Sequence, residues 1–385
     1  MRSADVIIAG GGIVGSSIAY HLTEAGCRSV VVLEREAHQG KGSTGKSMGG
    51  VRAQFVTPVN IQMSLYSIPF FARFQEAIGH PSGYKSQGYL FVATESKHMD
   101  YLRTNFEKQV ALGLKSVQLL TPSDVIRLAP EIRSDDIIGG SFCATDGFVD
   151  PYSVMTGFMQ KAIERGAELL RETEVTGIKR DPRGVCGVDT TRGPVSGRVV
   201  VNAAGPWAGL LADLAGVKLP IEPLRRMLVP TERFDQVSQK SPMVIDMATG
   251  FHYRPEGLGI LMAWNDPDET PGFSTNFDAA FIEKILTRGV KRLPCLEQAE
   301  VSPRRAWAGL YAMTPDHHAV LGSVPELPGF YLANGFSGHG VMHSPATGRI
   351  LADLILNGST EVVDADLLSV ERFASGRLLE ETAVL

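Results

Sequence analysis

Asp5-Val-Ile-Ile-Ala-Gly-Gly-Gly-Ile-Val-Gly15 is the stretch that decides the fold. Apolar residues run into three consecutive glycines, and an apolar, helix-spaced segment follows from Ile13 to Ala25, closed by Gly26. Val30-Val-Val-Leu-Glu34 supplies the next strand, so the unit reads as β-α-β, the building block of a parallel sheet covered on both faces. Gly10 and Gly12 fall at the tight turn and Gly15 in the first helical turn. The turn needs unusual φ, a pyrophosphate needs close backbone approach, and the helix must pack against the strand. The helix start, with Ile13 and Val14, offers N–H groups and a positive dipole end to phosphates. Glu34, about twenty residues on, can accept hydrogen bonds from a ribose diol and would repel a 2′-phosphate; Arg35 joins it in the expected cofactor-binding set. These features specify a dinucleotide and leave NAD and FAD both open.

Outward from that unit, 385 residues exceed the size at which one core usually keeps growing, which predicts two domains. With 44% hydrophobic and 21% charged residues the composition is that of an ordinary globular enzyme. A net charge of -5 without a long basic run argues against nucleic acid or an anionic membrane as partner and points to a small molecule. Cys27, Cys143, Cys186 and Cys295 form no C-x-x-C pair, which argues against a zinc site or disulfide framework and fits a cytoplasmic location. No signal peptide or apolar stretch of about 20 residues is visible, so no membrane span is expected.

Further along, a helix is expected from Val59 to Ile78, a strand at Leu90–Ala93, a helix from Lys97 to Leu112 and a capped helix start at Thr121. Asp150-Pro151 opens a long helix, Val175–Ile178 and Gly187–Thr190 suggest a hairpin, and Val199–Ala203 is a second buried strand. Gly329–Ala333 and a helix from Val341 to Leu356 form the last strand-helix pair. The pattern is α/β plus α+β: a Rossmann-like nucleotide domain assembled from separated segments, with an inserted, mostly antiparallel-sheet substrate domain. The expected division is 1–85, 145–220 and 318–385 for the first, and 86–144 and 221–317 for the second.

Gly40-Lys-Gly-Ser-Thr-Gly-Lys46-Ser47 satisfies the phosphate-loop pattern of NTPases. Its context is wrong for one: five residues separate it from the strand ending at Glu34, and Gly49-Gly50 would fall inside the required helix. It reads better as a loop contacting phosphates or a ring beside the dinucleotide.

Taken with the first motif, Gly42-Ser-Thr-Gly-Lys-Ser-Met-Gly-Gly-Val-Arg52, Val200-Val-Asn-Ala-Ala-Gly-Pro-Trp207 and Gly335-Phe-Ser-Gly-His-Gly340 resemble the D-amino-acid oxidase superfamily of FAD enzymes. The resemblance spans nearly the whole chain and is strongest to the branch holding sarcosine oxidase, glycine oxidase and the β subunit of archaeal L-proline dehydrogenase. It implies FAD, contacted by Gly10, Gly12, Gly15 and Glu34 at the pyrophosphate and ribose, and by Ser43, Thr44, Ser47 and Gly49 along the loop toward the isoalloxazine. Val175 resembles the residue whose backbone meets the adenine, and Ala204, Gly205 and Trp207 match a second turn closing over the cofactor. Gly338, His339, Gly340 and Val341 match the segment beside the flavin pyrimidine, where a helix dipole stabilises charge arriving with a hydride.

The chain also departs from that pattern. The cysteine that tethers flavin in monomeric sarcosine oxidase corresponds to Gly309, so FAD is expected to be non-covalent. The oxygen-activating lysine falls on the apolar strand Gly259–Ala263, which favours a dehydrogenase passing electrons to a carrier, with O2 kept as the alternative acceptor. The lysine that binds the substrate carboxylate corresponds to Met342. Arg52 is the first candidate to grip a carboxylate in its place and Arg254 the second; strand alternation puts Arg254 and His252 on one face. The resemblance thus implies oxidation of a small amine or amino acid, by hydride transfer to flavin N5 giving an imine. A 2-hydroxy-acid dehydrogenase and the flavin-bearing subunit of a hetero-oligomeric dehydrogenase are the rival expectations, and a homo- or hetero-oligomer stays open.

Overall fold

The computed structural model describes residues 2–383. Val6–Ala9 is buried along its whole length and forms an inner strand of a six-stranded sheet. Across that sheet the order is Val320–Ser323, Phe330–Asn334, Val199–Asn202, Val6–Ala9, Val30–Leu33 and Glu168–Leu170. Every pair is parallel except the edge strand Val320–Ser323, which runs antiparallel to its neighbour. Alternation sends Val6 and Ile8 into one core with Val30 and Val32, and Ile7 into another with Val31 and Leu33. Helices Ile13–Glu24, Pro151–Glu164 and Ser344–Asn357 pack on the first face. A four-stranded sheet and the helix Ala208–Leu214 pack on the second.

Local chemistry explains several boundaries. Gly26, with φ of +91°, ends the first helix. The Asp150 carboxylate accepts hydrogen bonds from the Tyr152 and Ser153 amides at 2.9 and 3.0 Å, fixing the start of Pro151–Glu164. Thr121 and Asp124 form a reciprocal capping box.

Two expected helices differ from the reading of the sequence. Val59 to Ile78 is two helices, Pro58–Ala72 and Phe74–Ile78, with Pro69 in the last turn of the first; a proline ring removes one ladder hydrogen bond, and the chain turns at Arg73. The final helix begins at Ser344 rather than Val341, because Gly338–Met342 forms an irregular turn before it.

The second large sheet has eight strands, in the order Trp307–Met313, Glu222–Pro230, Gly259–Ala263, His252–Glu256, Met243–Asp246, Tyr89–Ala93, Gly139–Cys143 and Val117–Leu120. It is antiparallel apart from the pairing of Met243–Asp246 with Tyr89–Ala93. Its register sets Arg226 opposite Gly309, Leu228 opposite Ala263, and His252 on the other side of Ala263. Residues directly opposite share a face, so these side chains look the same way. No helix among the described residues is long and apolar enough to cross a membrane.

Candidate active site

A cavity of about 440 Å3 lies between the C-terminal ends of the parallel strands and that face of the eight-stranded sheet. The ends of open parallel strands are where α/β folds generally bind ligands. At its floor the Val6–Ala9 strand turns through Gly10, whose φ is +118°. A β-carbon there would stand 2.3 Å from the Ala203 carbonyl oxygen, and one on Gly15 would stand 2.0 Å from the Gly10 carbonyl oxygen. Gly10, Gly12, Ile13 and Val14 line the cavity, whereas Gly15 lies behind the turn and acts by letting helix and strand approach. The Ile13 amide donates to the Thr44 hydroxyl at 3.1 Å, which ties the glycine turn to the 42–47 loop.

Glu34 marks one end. Its carboxylate accepts from the Gly11 amide at 3.1 Å and the Glu36 amide at 3.0 Å. Burial raises its pKa, opposed by those two amide hydrogen bonds. Arg35 lays its guanidinium 3.9 Å from the centre of the Trp207 ring, and Val175, Ala204 and Gly205 continue the wall. Ser43, Thr44 and Ser47 line the middle as expected, and Ser43 donates to the Leu310 carbonyl at 2.7 Å. Gly49 does not reach the cavity: with φ of +73° and the Val149 carbonyl 2.3 Å from a would-be β-carbon, it turns the chain into the short pairing of Gly50–Val51 with Gly147–Phe148. The stretch resembling an NTPase loop carries a single 3-10 turn, Thr44–Lys46, and no α-helix.

The other end is built by Gly338, His339, Gly340, Val341 and Met342, by Gly309, and by Arg52 and His252. Arg52 is buried, yet its donors are engaged: Nη1 with the Gln54 carbonyl at 2.9 Å, and Nη2 with the Ala383 carbonyl and, at 3.4 Å, with His339 Nε2. The Phe55 ring lies 4.1 Å from its guanidinium carbon. His252 Nδ1 donates to the Gly250 carbonyl at 3.0 Å, which leaves Nε2 with its lone pair. Burial lowers the His252 pKa to about 4, and the nearby Arg52 and Arg226 charges add to the effect. Burial together with Arg52 holds His339 well below the ordinary histidine value. Both rings are therefore neutral near pH 7.

Arg254 is the correction among the substrate candidates. It shares a strand with His252, but its guanidinium donates to the Met48 and Pro255 carbonyls and pairs with Glu256, and it forms no part of the cavity wall. Arg226, Tyr311, Lys46 and Tyr89 do line the cavity and escaped the reading of the sequence. For two of them the pairing explains why: nothing local marks Trp307–Met313, which carries Tyr311, as a strand, and only its register shows that Arg226 rather than Arg225 faces inward.

The chain matches the sequence profile of the DAO family, described as FAD dependent oxidoreductase, over residues 5–354. It belongs to that family. This DAO member is 32% identical to FAD-dependent oxidoreductase domain-containing protein 1 of Xenopus laevis, over 99% of this chain and 85% of the relative. It is 29% identical to the mitochondrial sarcosine dehydrogenase of Homo sapiens over 93% of this chain, which amounts to 40% of that longer protein. Among solved structures, L-proline dehydrogenase from P. horikoshii superimposes with a TM-score of 0.91 at 32% identity, covering 98% of this chain and 99% of the other.

FAD is the cofactor, and the residues of this DAO protein fit it. The bare glycine turn gives the pyrophosphate its close approach, and the Glu34 carboxylate at the strand end suits a ribose diol. Gly205 has open space where a side chain would stand, so the second turn can also lie against the cofactor.

Proposed function

We propose that this protein is an FAD-dependent dehydrogenase of a small amino acid or secondary amine. One observation carries the reading: the inner end of the cavity holds two guanidiniums and no carboxylate. The three acids in its wall, Glu34, Glu36 and Glu174, surround the dinucleotide end. Glu36 donates its amide to Glu34, and the Thr173 amide donates to the Glu34 carbonyl at 2.9 Å. The inner end has Arg52 and Arg226 among Met48, Leu228, Met243, Ala263 and Met342, with no carboxylate. Such a chamber accepts a small molecule with an anionic group and an apolar body.

Bound FAD supplies a hydride acceptor, which oxidises the carbon next to nitrogen and leaves an imine for water to hydrolyse. The chain's residues bind the substrate, orient it and favour its neutral form. Neutral His252 offers its Nε2 lone pair as a hydrogen-bond acceptor to the amine N–H, and the two guanidiniums disfavour the charged amine, so its proton leaves to solvent and the free base is the form that reacts. Apolar walls exclude water, and holding the donor carbon about 3–3.5 Å from its acceptor supplies much of the acceleration.

The sarcosine and L-proline dehydrogenase relatives support an amino-acid substrate and an acceptor other than O2. Anaerobic mixing of the holoenzyme with secondary, D-, L- and 2-hydroxy acids tests it. Bleaching of the flavin by one amino-acid class, with slow recovery in air and fast recovery with an artificial electron acceptor, is expected. Bleaching by hydroxy acids alone would overturn the amine reading.

A further inference from the structure

Arg226 is a half-buried guanidinium that faces the cavity without a counter-ion. It lies on Glu222–Pro230 opposite Gly309, on the face that forms the cavity wall. Its Nη1 donates to the Arg225 carbonyl at 3.2 Å. Its Nε, buried, has no partner, and no carboxylate lies within ion-pair distance of the side chain among the described residues. Arg225, next in sequence and on the opposite face, is clamped by the Glu269 carboxylate at 2.7 Å. The contrast is functional: burying a guanidinium without an acceptor is costly, and a fold that tolerates it at a cavity wall leaves the missing acceptor to a ligand.

Arg52 is less suited to that task. Its Nη1 holds the Gln54 carbonyl, its Nη2 holds the Ala383 carbonyl and His339, and its face is covered by Phe55. Arg226 stands instead with its guanidinium carbon 5.4 Å from the centre of the Tyr311 ring, and both Tyr311 and His252 lie within the electrostatic reach of Arg226 and Arg52. An anion held by Nη2 would therefore sit in the same chamber as His252.

We propose that Arg226 is the anchor for the substrate's carboxylate, while Arg52 braces His339 and the C-terminal segment. The proposal rests on the amino-acid reading above. A planar guanidinium offering Nη2 and the second Nη1 proton to one carboxylate gives the two-point grip that fixes which hydrogen on the adjacent carbon faces the flavin.

The test is a titration of holoenzyme with acetate and benzoate, read from the perturbation of flavin absorbance without turnover. Arg226→Gln should weaken both by about 30-fold or more, and Arg226→Lys by less, with flavin content and Tm unchanged. KM for the reactive amino acid should rise in parallel, with its decarboxylated amine affected less than threefold. Carboxylate binding within threefold of the parent in Arg226→Gln would overturn the proposal. So would loss of FAD in both variants, which would place Arg226 on the cofactor. If Arg226 governs the carboxylate titration while no amino acid reduces the parent enzyme, the anchor stands and the amine reading fails.

Discussion

The carbonyl oxygen of Ala203 stands 2.3 Å from the position that a β-carbon on Gly10 would take. The exit of Val199–Asn202 is thereby pressed against the turn that follows Val6–Ala9, and Gly10 at φ of +118° is the residue that permits it. Gly10→Ala must either move the strand end or distort the turn, at a cost of about 1–3 kcal/mol or more. Purified Gly10→Ala should show at least a tenfold lower ratio of 450 nm to 280 nm absorbance and a Tm lower by several degrees. A fully yellow variant would show that the two turns can separate freely.

Burial holds His21 and His252 at about 4 and His343 at about 3, and also lowers His339 and His318. A histidine depressed in the fold contributes stability that is complete above its unfolded value of 6.5 and is lost as pH falls toward the folded value. Asp146, raised by burial to about 6, acts with the opposite sign: its contribution grows as pH falls from 6 toward 3.8. Glu34, which burial also raises, acts in the same sense as Asp146, and the five depressed histidines outweigh these two acids. The Tm of the holoenzyme should therefore fall steeply between pH 6.5 and 4, as calorimetry can check, and a flat or rising profile in that window would contradict the assignment.

Glu381, fully buried, closes the start of a helix 321 residues away. Its carboxylate accepts from the Val56 and Thr57 amides at 3.2 Å, the Thr57 hydroxyl at 2.9 Å and the Asn60 amide group at 3.1 Å. Thr57, at the cap position, has no side-chain bond to its own helix, and the tail carboxylate instead fixes the segment that leads into it. Glu381→Ala would leave several buried donors unsatisfied, each costing about 1–3 kcal/mol. Chemical denaturation should show a loss of several kcal/mol, and Glu381→Gln should recover part of it. An unchanged midpoint would mean that water replaces the carboxylate.

What the sequence made legible is what local chemistry dictates. The glycine turn, Glu34 at a strand end and the Asp150 cap are each specified within a few residues of themselves, and the structure puts Gly10 and Glu34 at one cavity. Val341 and Met342 are apolar, which suits a helix and a cavity wall equally, so the helix start was misplaced by three residues. Arg225 and Arg226 are adjacent and identical, and only pairing with a strand some eighty residues later tells them apart. Glu381 carries no local sign of the helix entry it holds.

The strand order of the parallel sheet also sets a timetable. Val6–Ala9 leaves the ribosome early, but its neighbour Val199–Asn202 and the outer Phe330–Asn334 come far later. At about 5–20 residues per second the nascent chain spends on the order of 20–60 s with the first turn made and its lining absent. The Ala203 turn and the Gly338–Met342 wall do not yet exist during that interval. Cofactor loading thus waits for Phe330–Asn334 and the wall that follows it, and a chain stopped before Phe330 would be colourless however well Val6–Ala9 and its turn fold.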